Sequence, residues 1–343
     1  MKKILVIFTG GTFASENSSS GLRPKFSDQQ LLEIFPKVKN LAIITTTQIF
    51  NLDSTNINPI HWEKISTKIF ENYNEFDGFV VIHGTDTMHF SAAATSFALQ
   101  NLQKPVVFTG SVLPPKNIHS DAEQNLLDSL LVAKSDSIKE VCICFGGKIL
   151  KATHVRKFTN EATRFFPEKI GVFSPINSYP IGTVNSGNII YNKSYFASNN
   201  YPNKKLDLQL YVKFSSDKVA SFKIFPGLSG SILQKFYDFK IMILEAFAVG
   251  NIPFKNSNWI EEIGKFTQKN LLFISTQNPF GEVDLKLYEV GKKAKNSGAI
   301  SLKNMITETA IVKAAWILGN WPNFSKTEIK NKMLQNFCGE IQA

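Results

Sequence analysis

Four short apolar runs in the first half of the chain each end in a glycine turn, and this arrangement constrains the fold most. The runs and their turns occupy residues 4–12, 78–87, 106–111 and 141–147. Segments with apolar residues at helical spacing lie at residues 28–35, 60–73, 91–102 and 121–133. Apolar strands that alternate with amphipathic helices indicate a parallel sheet covered by helices on both faces. In such sheets a ligand binds at the carboxyl ends of the strands, so we expect all four turns to share one edge.

A second, smaller pattern of the same kind follows a polar stretch. The alternation is lost between about residues 184 and 218, where Asn, Ser, Lys and Tyr are abundant. It resumes with apolar runs at residues 219–227, 240–247, 270–277 and 298–302, and with a helical pattern at 306–318. The sequence therefore predicts an α/β protein whose larger amino-terminal domain is a doubly wound, flavodoxin-like parallel sheet. The predicted domains are residues 1–195 and a smaller α/β domain at 219–343, joined by a linker at 196–218.

The net charge of +10, from 38 basic and 28 acidic residues among 343, raises the question of a nucleic-acid partner. Only Arg23, Arg156 and Arg164 are arginines, although arginine is the usual reader of guanine edges and phosphates. The lysines are scattered rather than gathered in a basic run. We therefore expect a solvated basic surface and no nucleic-acid partner.

The cysteines and the amino terminus bear on the compartment. Cys142 and Cys144 are two positions apart in an apolar run, so they share one strand face and are poorly placed for a disulfide with each other. An odd cysteine count without framework spacing favours a reducing compartment. The apolar run at residues 4–8 is too short for a secretory signal, and no run approaches a membrane span. We expect a cytoplasmic protein with no membrane partner and no metal site.

The first glycine turn, TGGT at residues 9–12, places a threonine hydroxyl at the edge of the predicted sheet. Thr12 is a possible nucleophile, although a free hydroxyl is weak without an activating base. Two other interpretations are a plain strand-to-helix turn and a dinucleotide phosphate loop. The GxGxxG spacing of such a loop is absent.

The second turn, HGTDTM at residues 83–88, supplies Thr85 and Asp86 at the same edge. Asp86 could orient a lysine, or it could be the N-cap of the helix predicted to start near Ser91. Lys157 follows the fourth strand. If it is shielded from water near Asp86, it could exchange a proton with Thr85; otherwise it is a surface lysine.

A further polar loop, NLDST at residues 51–55, follows the run at residues 41–50. Its short hydroxyls and its carboxylate suit the charged ends of a small polar substrate. The alternative is an Asx turn that caps the helix starting near Pro59.

These segments, in this order, resemble the asparaginase–glutaminase family. The two family signatures stand here as TGGTFA at residues 9–14 and HGTDTM at 83–88. The resemblance continues through residues 109–115, 120–133, 248–253, 275–284 and 298–319. It is closest to the bacterial type I, cytoplasmic branch, because DST at residues 53–55 looks like the DSS form of that branch. We also expect no export signal, since the chain begins at the first strand.

The resemblance implies hydrolysis of L-asparagine to L-aspartate and ammonia, without a metal or an organic cofactor. Thr12 matches the primary nucleophile of the family, and its second catalytic group is matched by Thr85, Asp86 and Lys157. The substrate-binding positions are matched by Gly11, Asp53, Ser54, Thr55, Gly84 and Ser111. Asp53, Ser54 and Thr55 match the loop that holds the α-amino and α-carboxylate groups. Ser111 lies near the carbonyl that contacts the side-chain amide. The resemblance also implies a homodimer or a homotetramer.

Three positions depart from the family pattern. Leu22 stands where many members have a tyrosine that helps to activate the nucleophile. Val155 and Arg156 precede Lys157 where the family has small hydroxyl residues, which leaves Lys151 as an alternative catalytic lysine. The sequence TQN at residues 276–278 lacks the cysteine that some type I enzymes link to allosteric control.

Three alternative functions follow. One is a glutaminase-leaning amidohydrolase, and another is a catalytically weak, asparagine-binding member of the family. The last is an archaeal-type tRNA amidotransferase subunit, which shares this core but carries an extra amino-terminal domain. The eight residues before Thr9 are expected to leave no room for that domain.

Overall fold

The computed structural model describes residues 1–18, 21–24, 31–160, 171–198, 206–255 and 257–342. The chain divides into two compact units, Met1–Val212 and Lys213–Ala343. The division lies inside the segment predicted as a linker, of which residues 199–205 are outside the described ranges. Residues 28–30 of the first predicted helix are outside them as well.

The first unit contains the larger sheet. The strands of this unit, not all of which belong to that sheet, are β1 (Lys3–Gly10), β2 (Ser15–Ser18), β3 (Gly21–Pro24), β4 (Ile43–Leu52), β5 (Gly78–Ile82), β6 (Leu99–Gln100), β7 (Val106–Thr109), β8 (Val141–Phe145), β9 (Lys148–Lys151), β10 (Val155–Lys157), β11 (Phe173–Pro175), β12 (Gly182–Asn185), β13 (Asn188–Tyr191) and β14 (Gln209–Leu210). Its α-helices are α1 (Leu31–Ile34), α2 (Pro59–Glu71), α3 (Met88–Ala98), α4 (Ala122–Ala133) and α5 (Lys193–Ser198). Short 3₁₀ helices occupy Thr12–Ala14, Pro36–Asn40, Ser54–Asn56 and Ala152–His154.

The main sheet of this unit has the strand order β13-β12-β9-β8-β7-β5-β1-β4 in the described part of the chain. The five strands from β8 to β4 are mutually parallel. Numbered by their order in the chain, they run 2-1-3-4-5 across the sheet, which is the flavodoxin-like order. The predicted fold class of this unit is therefore confirmed. The antiparallel extension through β9, β12 and β13 was not predicted.

Helices cover both faces of the parallel strands, as the alternation of β1 shows. Val6 belongs to one buried cluster together with Leu126 of α4. Leu5 belongs to another, together with Ile65 of α2 and Ala92 of α3. Successive side chains of a strand point to opposite faces, so an all-apolar strand requires a core on each side. Each fully buried aliphatic side chain contributes about 1.5–3 kcal/mol to folding.

The second unit is a smaller α/β structure, also as predicted. Its strands β15 (Val219–Lys223), β16 (Ile241–Ala246), β17 (Leu271–Thr276) and β18 (Ile300–Ser301) pair in parallel in chain order. Its α-helices are α6 (Trp259–Lys269), α7 (Glu289–Asn296), α8 (Thr307–Asn320) and α9 (Lys326–Leu334), and a 3₁₀ helix spans Gly230–Phe236. The buried side chains of β16 and β17 form a core with Trp259, Ile263 and Phe266 of α6.

Several predicted bounds differ from the observed ones. The helix expected at residues 91–102 begins at Met88 and ends at Ala98, because Leu99 and Gln100 turn into the short strand β6, which pairs with β14. Among the helices in the described ranges, none has the length and apolar character that a membrane-spanning segment requires.

Candidate active site

The candidate site lies where the strand order of the larger sheet reverses. From β1 the chain moves outward to β4, and it then returns past β1 to β5 and continues in the other direction. At such a switch point the connections leave the sheet on opposite sides, and a crevice opens at the carboxyl ends of the two central strands. The turns after β1 and β5 carry Thr12 and Thr85.

The two turns approach each other backbone to backbone. Gly11 has a φ of +84°, and a Cβ at this position would overlap the Cα of Gly84. A Cβ on Gly84 would lie 2.7 Å from the Cβ of Ser54. The amide of Gly11 donates a 3.0 Å hydrogen bond to the carbonyl oxygen of Leu52. Glycine is required at both positions, and the segments after β1, β4 and β5 meet at one place.

Thr12 follows this contact at the start of a 3₁₀ helix and is half-buried. The next residue, Phe13, is buried and packs on Phe35, with 5.5 Å between the ring centroids. Phe13 anchors the turn in the core, and the hydroxyl of Thr12 stays on the edge of the sheet. The side chain at Leu22, the position of the family tyrosine, lies outside the described part of the chain.

Thr85, Asp86 and Lys157 lie in direct contact. The Nζ of Lys157 donates to the Oγ1 of Thr85 at 2.8 Å and to the Oδ1 of Asp86 at 2.6 Å. The Lys157 side chain is 12% exposed and that of Asp86 is 52% exposed. Lys157 is the last residue of β10, whose pairing with β11 fixes its direction. The ammonium group is thus held against a hydroxyl and a carboxylate at the carboxyl end of β5.

Lys151 lies in a different cluster. Its Nζ is 3.1 Å from a carboxylate oxygen of Glu140 and 3.2 Å from the hydroxyl of Tyr195, which itself donates to Glu140 at 2.6 Å. The Lys151 side chain is almost fully buried. Of the two lysines that the sequence left open, the structure brings Lys157 and not Lys151 to Thr85.

Asp86 is not the N-cap of α3. That helix begins at Met88 with Thr87 as its N-cap residue, and the Thr87 side chain makes no capping hydrogen bond. The hydroxyl of Thr87 donates instead to the carbonyl oxygen of Ser54 at 2.7 Å. This bond ties the loop after β4 to the turn after β5.

The loop after β4 contains an Asx turn, but this turn does not cap the helix that starts at Pro59, as that alternative had predicted. The Oδ1 of Asp53 accepts hydrogen bonds from the amide and from the hydroxyl of Thr55, each at 2.8 Å. Asp53 caps the 3₁₀ helix Ser54–Asn56, while α2 is capped by Asn58. Ser54 is buried against Gly84, so the loop packs on the turn after β5 where it borders the site.

Ser111 follows β7, and its side chain is almost fully buried. Within the described ranges its hydroxyl has no hydrogen-bond partner. The carboxylate of Asp121 accepts from the amide of Val112 at 3.0 and 3.1 Å and from that of Leu113 at 3.1 Å. The side-chain Nδ2 of Asn125 donates to the carbonyl oxygen of Gly110 at 3.0 Å. The residue before Ser111 and the two residues after it are therefore hydrogen-bonded to side chains at the start of α4.

Sequence reasoning assigned no role to Asp121, Asn125 or His83. Asp121 and Asn125 are four positions apart, a spacing that places both on one face at the start of α4. That spacing was the available signal. His83 is fully buried, and this burial lowers its pKa to about 4, with a smaller contribution from His89 in the same direction. No sequence pattern distinguishes such a histidine from an exposed one.

Across the described ranges, no three His, Cys, Asp or Glu side chains are grouped so that they could hold a metal ion. The polar groups at the edge of the sheet are hydroxyls, carboxylates, backbone amides and one ammonium group. Together they offer a nucleophile, proton carriers and binding partners for a small zwitterion.

Comparisons with known proteins cover both units. The family model described as "Asparaginase, N-terminal" matches residues 3–196. The model described as "Glutaminase/Asparaginase C-terminal domain" matches residues 218–333.

Individual relatives extend over nearly the whole chain. An L-asparaginase of Thermococcus kodakarensis is 32% identical over 341 residues, which is 99% of each protein. A glutamyl-tRNA(Gln) amidotransferase subunit from Pyrococcus horikoshii is 30% identical, with 98% of this chain aligned to 76% of that protein. The crystal structure of L-asparaginase I from Vibrio cholerae is similar with a TM-score of 0.85 and 27% identity, covering 100% of this chain and 99% of the other.

Proposed function

This chain belongs to the asparaginase family of amidohydrolases, and from that premise we propose that it hydrolyses L-asparagine to L-aspartate and ammonia. The observation that carries the proposal is the contact of Lys157 with both Thr85 and Asp86 at the switch point of the sheet. This contact lies next to the turn that presents Thr12.

Thr12 is the proposed nucleophile. Its oxygen forms a bond to the side-chain amide carbon of asparagine, and the carbon–nitrogen bond breaks as the nitrogen takes up a proton and leaves as ammonia. Water then attacks the resulting ester, which releases aspartate and restores the hydroxyl of Thr12. Both steps pass through an oxyanion that backbone amides at the two turns would stabilise. The amide of Gly11 is already bonded to Leu52, so we assign this role to amides that follow it.

Thr85, Lys157 and Asp86 are the proposed proton carriers. Proton transfer by a positioned group typically contributes about 10²–10⁴-fold to the rate. The Thr85 hydroxyl can pass a proton to or from the Nζ of Lys157 over 2.8 Å. Asp86 holds this ammonium group in place from the more exposed side.

The neighbouring loops are proposed to bind the charged ends of the substrate. Asp53, Ser54 and Thr55 would hold the α-ammonium and α-carboxylate groups. The hydrogen bonds of this loop support the role, because a loop already held in one conformation loses little entropy on binding. The backbone at Ser111 would contact the side-chain amide. Pocket length would decide between asparagine and glutamine, a difference of one methylene that is typically worth about 1–3 kcal/mol.

We also propose a cytoplasmic location and a homodimeric or homotetrameric assembly, with no nucleic-acid or membrane partner. Cys142 and Cys144 are buried free thiols, which supports a reducing compartment. Burial raises the pKa of Cys144 to about 12, so this thiol is unreactive at neutral pH. The assembly rests on the family resemblance.

The experiment that tests the proposal is ammonia release by the purified protein from L-asparagine, with L-glutamine and D-asparagine in parallel. We expect turnover of L-asparagine and its loss in a Thr12→Ala variant whose circular dichroism spectrum is unchanged. Preference for glutamine would favour a glutaminase-leaning enzyme. Absence of turnover with every amide, together with calorimetric binding of asparagine, would favour a catalytically weak binding protein. Wild-type rates in the Thr12→Ala variant would refute the assignment of the nucleophile.

A further inference from the structure

His83 stands at the end of β5, and both nitrogens of its buried ring lie within hydrogen-bond distance of polar atoms. Its Nδ1 is 2.7 Å from the carbonyl oxygen of Gly84, and its Nε2 is 2.8 Å from the hydroxyl of Ser91. A carbonyl oxygen can only accept, so Nδ1 carries the proton of the ring. A neutral imidazole has one N–H, and Nε2 must therefore accept from the hydroxyl of Ser91.

The direction of this bond is fixed from the other side as well. The indole Nε1 of Trp62 lies 3.1 Å from the Ser91 hydroxyl and can only donate to it. The Ser91 oxygen accepts from Trp62, and its own proton goes to His83. Trp62 comes from α2 and Ser91 from α3, and both are buried. Three hydrogen bonds thus run in one direction, from Trp62 through Ser91 and His83 to the carbonyl of Gly84.

The end of this chain of bonds is the peptide group that joins Gly84 to Thr85. The described peptide bonds are all trans, so the carbonyl and the amide of this group point in opposite directions. With the carbonyl held by His83, the amide of Thr85 points away from the imidazole. The hydroxyl of the same threonine contacts Lys157. The imidazole therefore fixes the plane of the peptide from which the proposed proton carrier projects.

We propose that His83, oriented by Ser91 and Trp62, is a positioning residue that holds the Gly84–Thr85 peptide in the orientation required for amide hydrolysis. This inference rests on the proposed function. Packing alone does not require a histidine here, because an apolar side chain could fill the same buried volume. Burial of an imidazole costs folding free energy unless both of its nitrogens form hydrogen bonds. The hydrogen bond from Nδ1 to the carbonyl of Gly84 is the one that we propose matters for catalysis. The bond from Ser91 to Nε2 keeps the proton of the ring on Nδ1, so that Nδ1 can donate.

Two amide substitutions separate this role from packing. The side-chain amide of asparagine reaches the position of Nδ1, and that of glutamine reaches toward Nε2. We expect kcat of His83→Asn to stay within about 10-fold of the wild-type value. We expect kcat of His83→Gln to fall about 10²-fold, because the Gly84–Thr85 peptide dipole is then no longer held, and loss of one oriented dipole typically lowers the rate by about this much. KM should change less than about 3-fold in both variants, since the substrate-binding loop is untouched. A role in packing alone predicts the opposite order, because glutamine fills more of the cavity.

Ser91→Ala tests the middle of the chain of bonds. It removes the donor to Nε2, and we expect kcat to fall about 10-fold with little change in KM. The matched control is Ser96→Ala on the same helix. Ser96 is also buried, and its hydroxyl donates to the carbonyl of Ala92 at 3.0 Å in its own helix. The control should keep kcat within about 2-fold.

The outcomes distinguish a failure of this inference from a failure of the proposed function. If the wild type hydrolyses none of the amides, the proposed function fails and the positioning role fails with it. If the wild type is active and His83→Asn is no better than His83→Gln, the inference alone is overturned. Should these variants not fold, ¹⁵N NMR of the wild-type imidazole decides: a proton on Nδ1 supports the inference, and a proton on Nε2 refutes it.

Discussion

Lys157 donates a 2.6 Å hydrogen bond to Asp86 across 71 positions of sequence, and this ion pair ties the end of β10 to the turn after β5. Replacing Lys157 with methionine keeps most of the side-chain length but removes the charge. We expect kcat for L-asparagine to fall by about 10²–10⁴-fold, the usual contribution of a positioned proton carrier. The carboxylate left behind is half-exposed and solvated, so thermal unfolding monitored by circular dichroism should change little.

Lys151→Met is the matched control for that variant, and we expect the reverse outcome. In the wild type the ammonium group of Lys151 forms a nearly buried ion pair with Glu140. Removal of one partner of such a pair typically lowers the free energy of unfolding by about 3–5 kcal/mol. Chemical denaturation should show this loss, while kcat at a temperature where the variant is folded stays near that of the wild type. A folded Lys151→Met protein without turnover would transfer the catalytic role to Lys151.

Asp121 is expected to control substrate affinity through the loop that carries Ser111. In Asp121→Asn the NH2 group that replaces Oδ2 faces the backbone amide of Val112 and the side-chain Nδ2 of Asn125, which both donate to that oxygen in the wild type. We expect KM for L-asparagine to rise about 10-fold, equivalent to about 1.4 kcal/mol of binding free energy, with a smaller change in kcat. The control is Asp128→Asn on the same helix. The carboxylate of Asp128 accepts a hydrogen bond from the side-chain amide of Gln124 at 2.7 Å instead of holding the loop, so this substitution should leave KM unchanged.

The protonation of His83 predicts a pH dependence of stability. Burial lowers its pKa in the folded protein from 6.5 to about 4. Between these values the unfolded chain binds a proton that the folded protein does not, so the free energy of unfolding falls as the pH falls from about 6.5 to 4. The full loss is on the order of 3 kcal/mol, because one pKa unit corresponds to about 1.4 kcal/mol. Guanidinium titrations at several pH values should show a steeper loss in the wild type than in His83→Asn. Equal slopes would contradict the prediction.

The second unit contains a fully buried ion pair that makes its own prediction. The Nζ of Lys313 lies 2.6 Å from the carboxylate of Glu340 and 2.8 Å from the carbonyl oxygen of Met333. Lys313→Met and Glu340→Gln should each lower the free energy of unfolding by about 3–5 kcal/mol, because each leaves the remaining buried charge without its counter-ion. The double variant should lose less than the sum of the two, as measured by a double-mutant cycle. Additive losses would mean that the two side chains act independently.

The parallel strands β1, β5, β7 and β8 were predictable because each is mostly apolar and ends in a glycine turn. The extension of the larger sheet by β9, β12 and β13 was not, since these strands have at most four residues and no clear alternation. The two candidate lysines each end a short strand. Only the pairing of β10 with β11 separates the position of Lys157 from that of Lys151. The chain of hydrogen bonds that reaches Gly84 joins side chains from α2, α3 and the turn after β5, and no local sequence pattern predicts contacts between such distant segments.

The position of Lys157 on β10 also has a consequence for the order of events during protein synthesis. The turns that carry Thr12 and Thr85 depend on strands that leave the ribosome early, and the parallel part of the sheet ends with β8. The ammonium group that contacts Thr85 and Asp86 is translated later, beyond the antiparallel strand β9. A nascent or prematurely terminated chain that stops before β10 therefore lacks a member of the proposed catalytic group, however well its parallel strands have folded. In the proposed mechanism, catalytic competence is gained only after the parallel strands of the larger unit have all been synthesised.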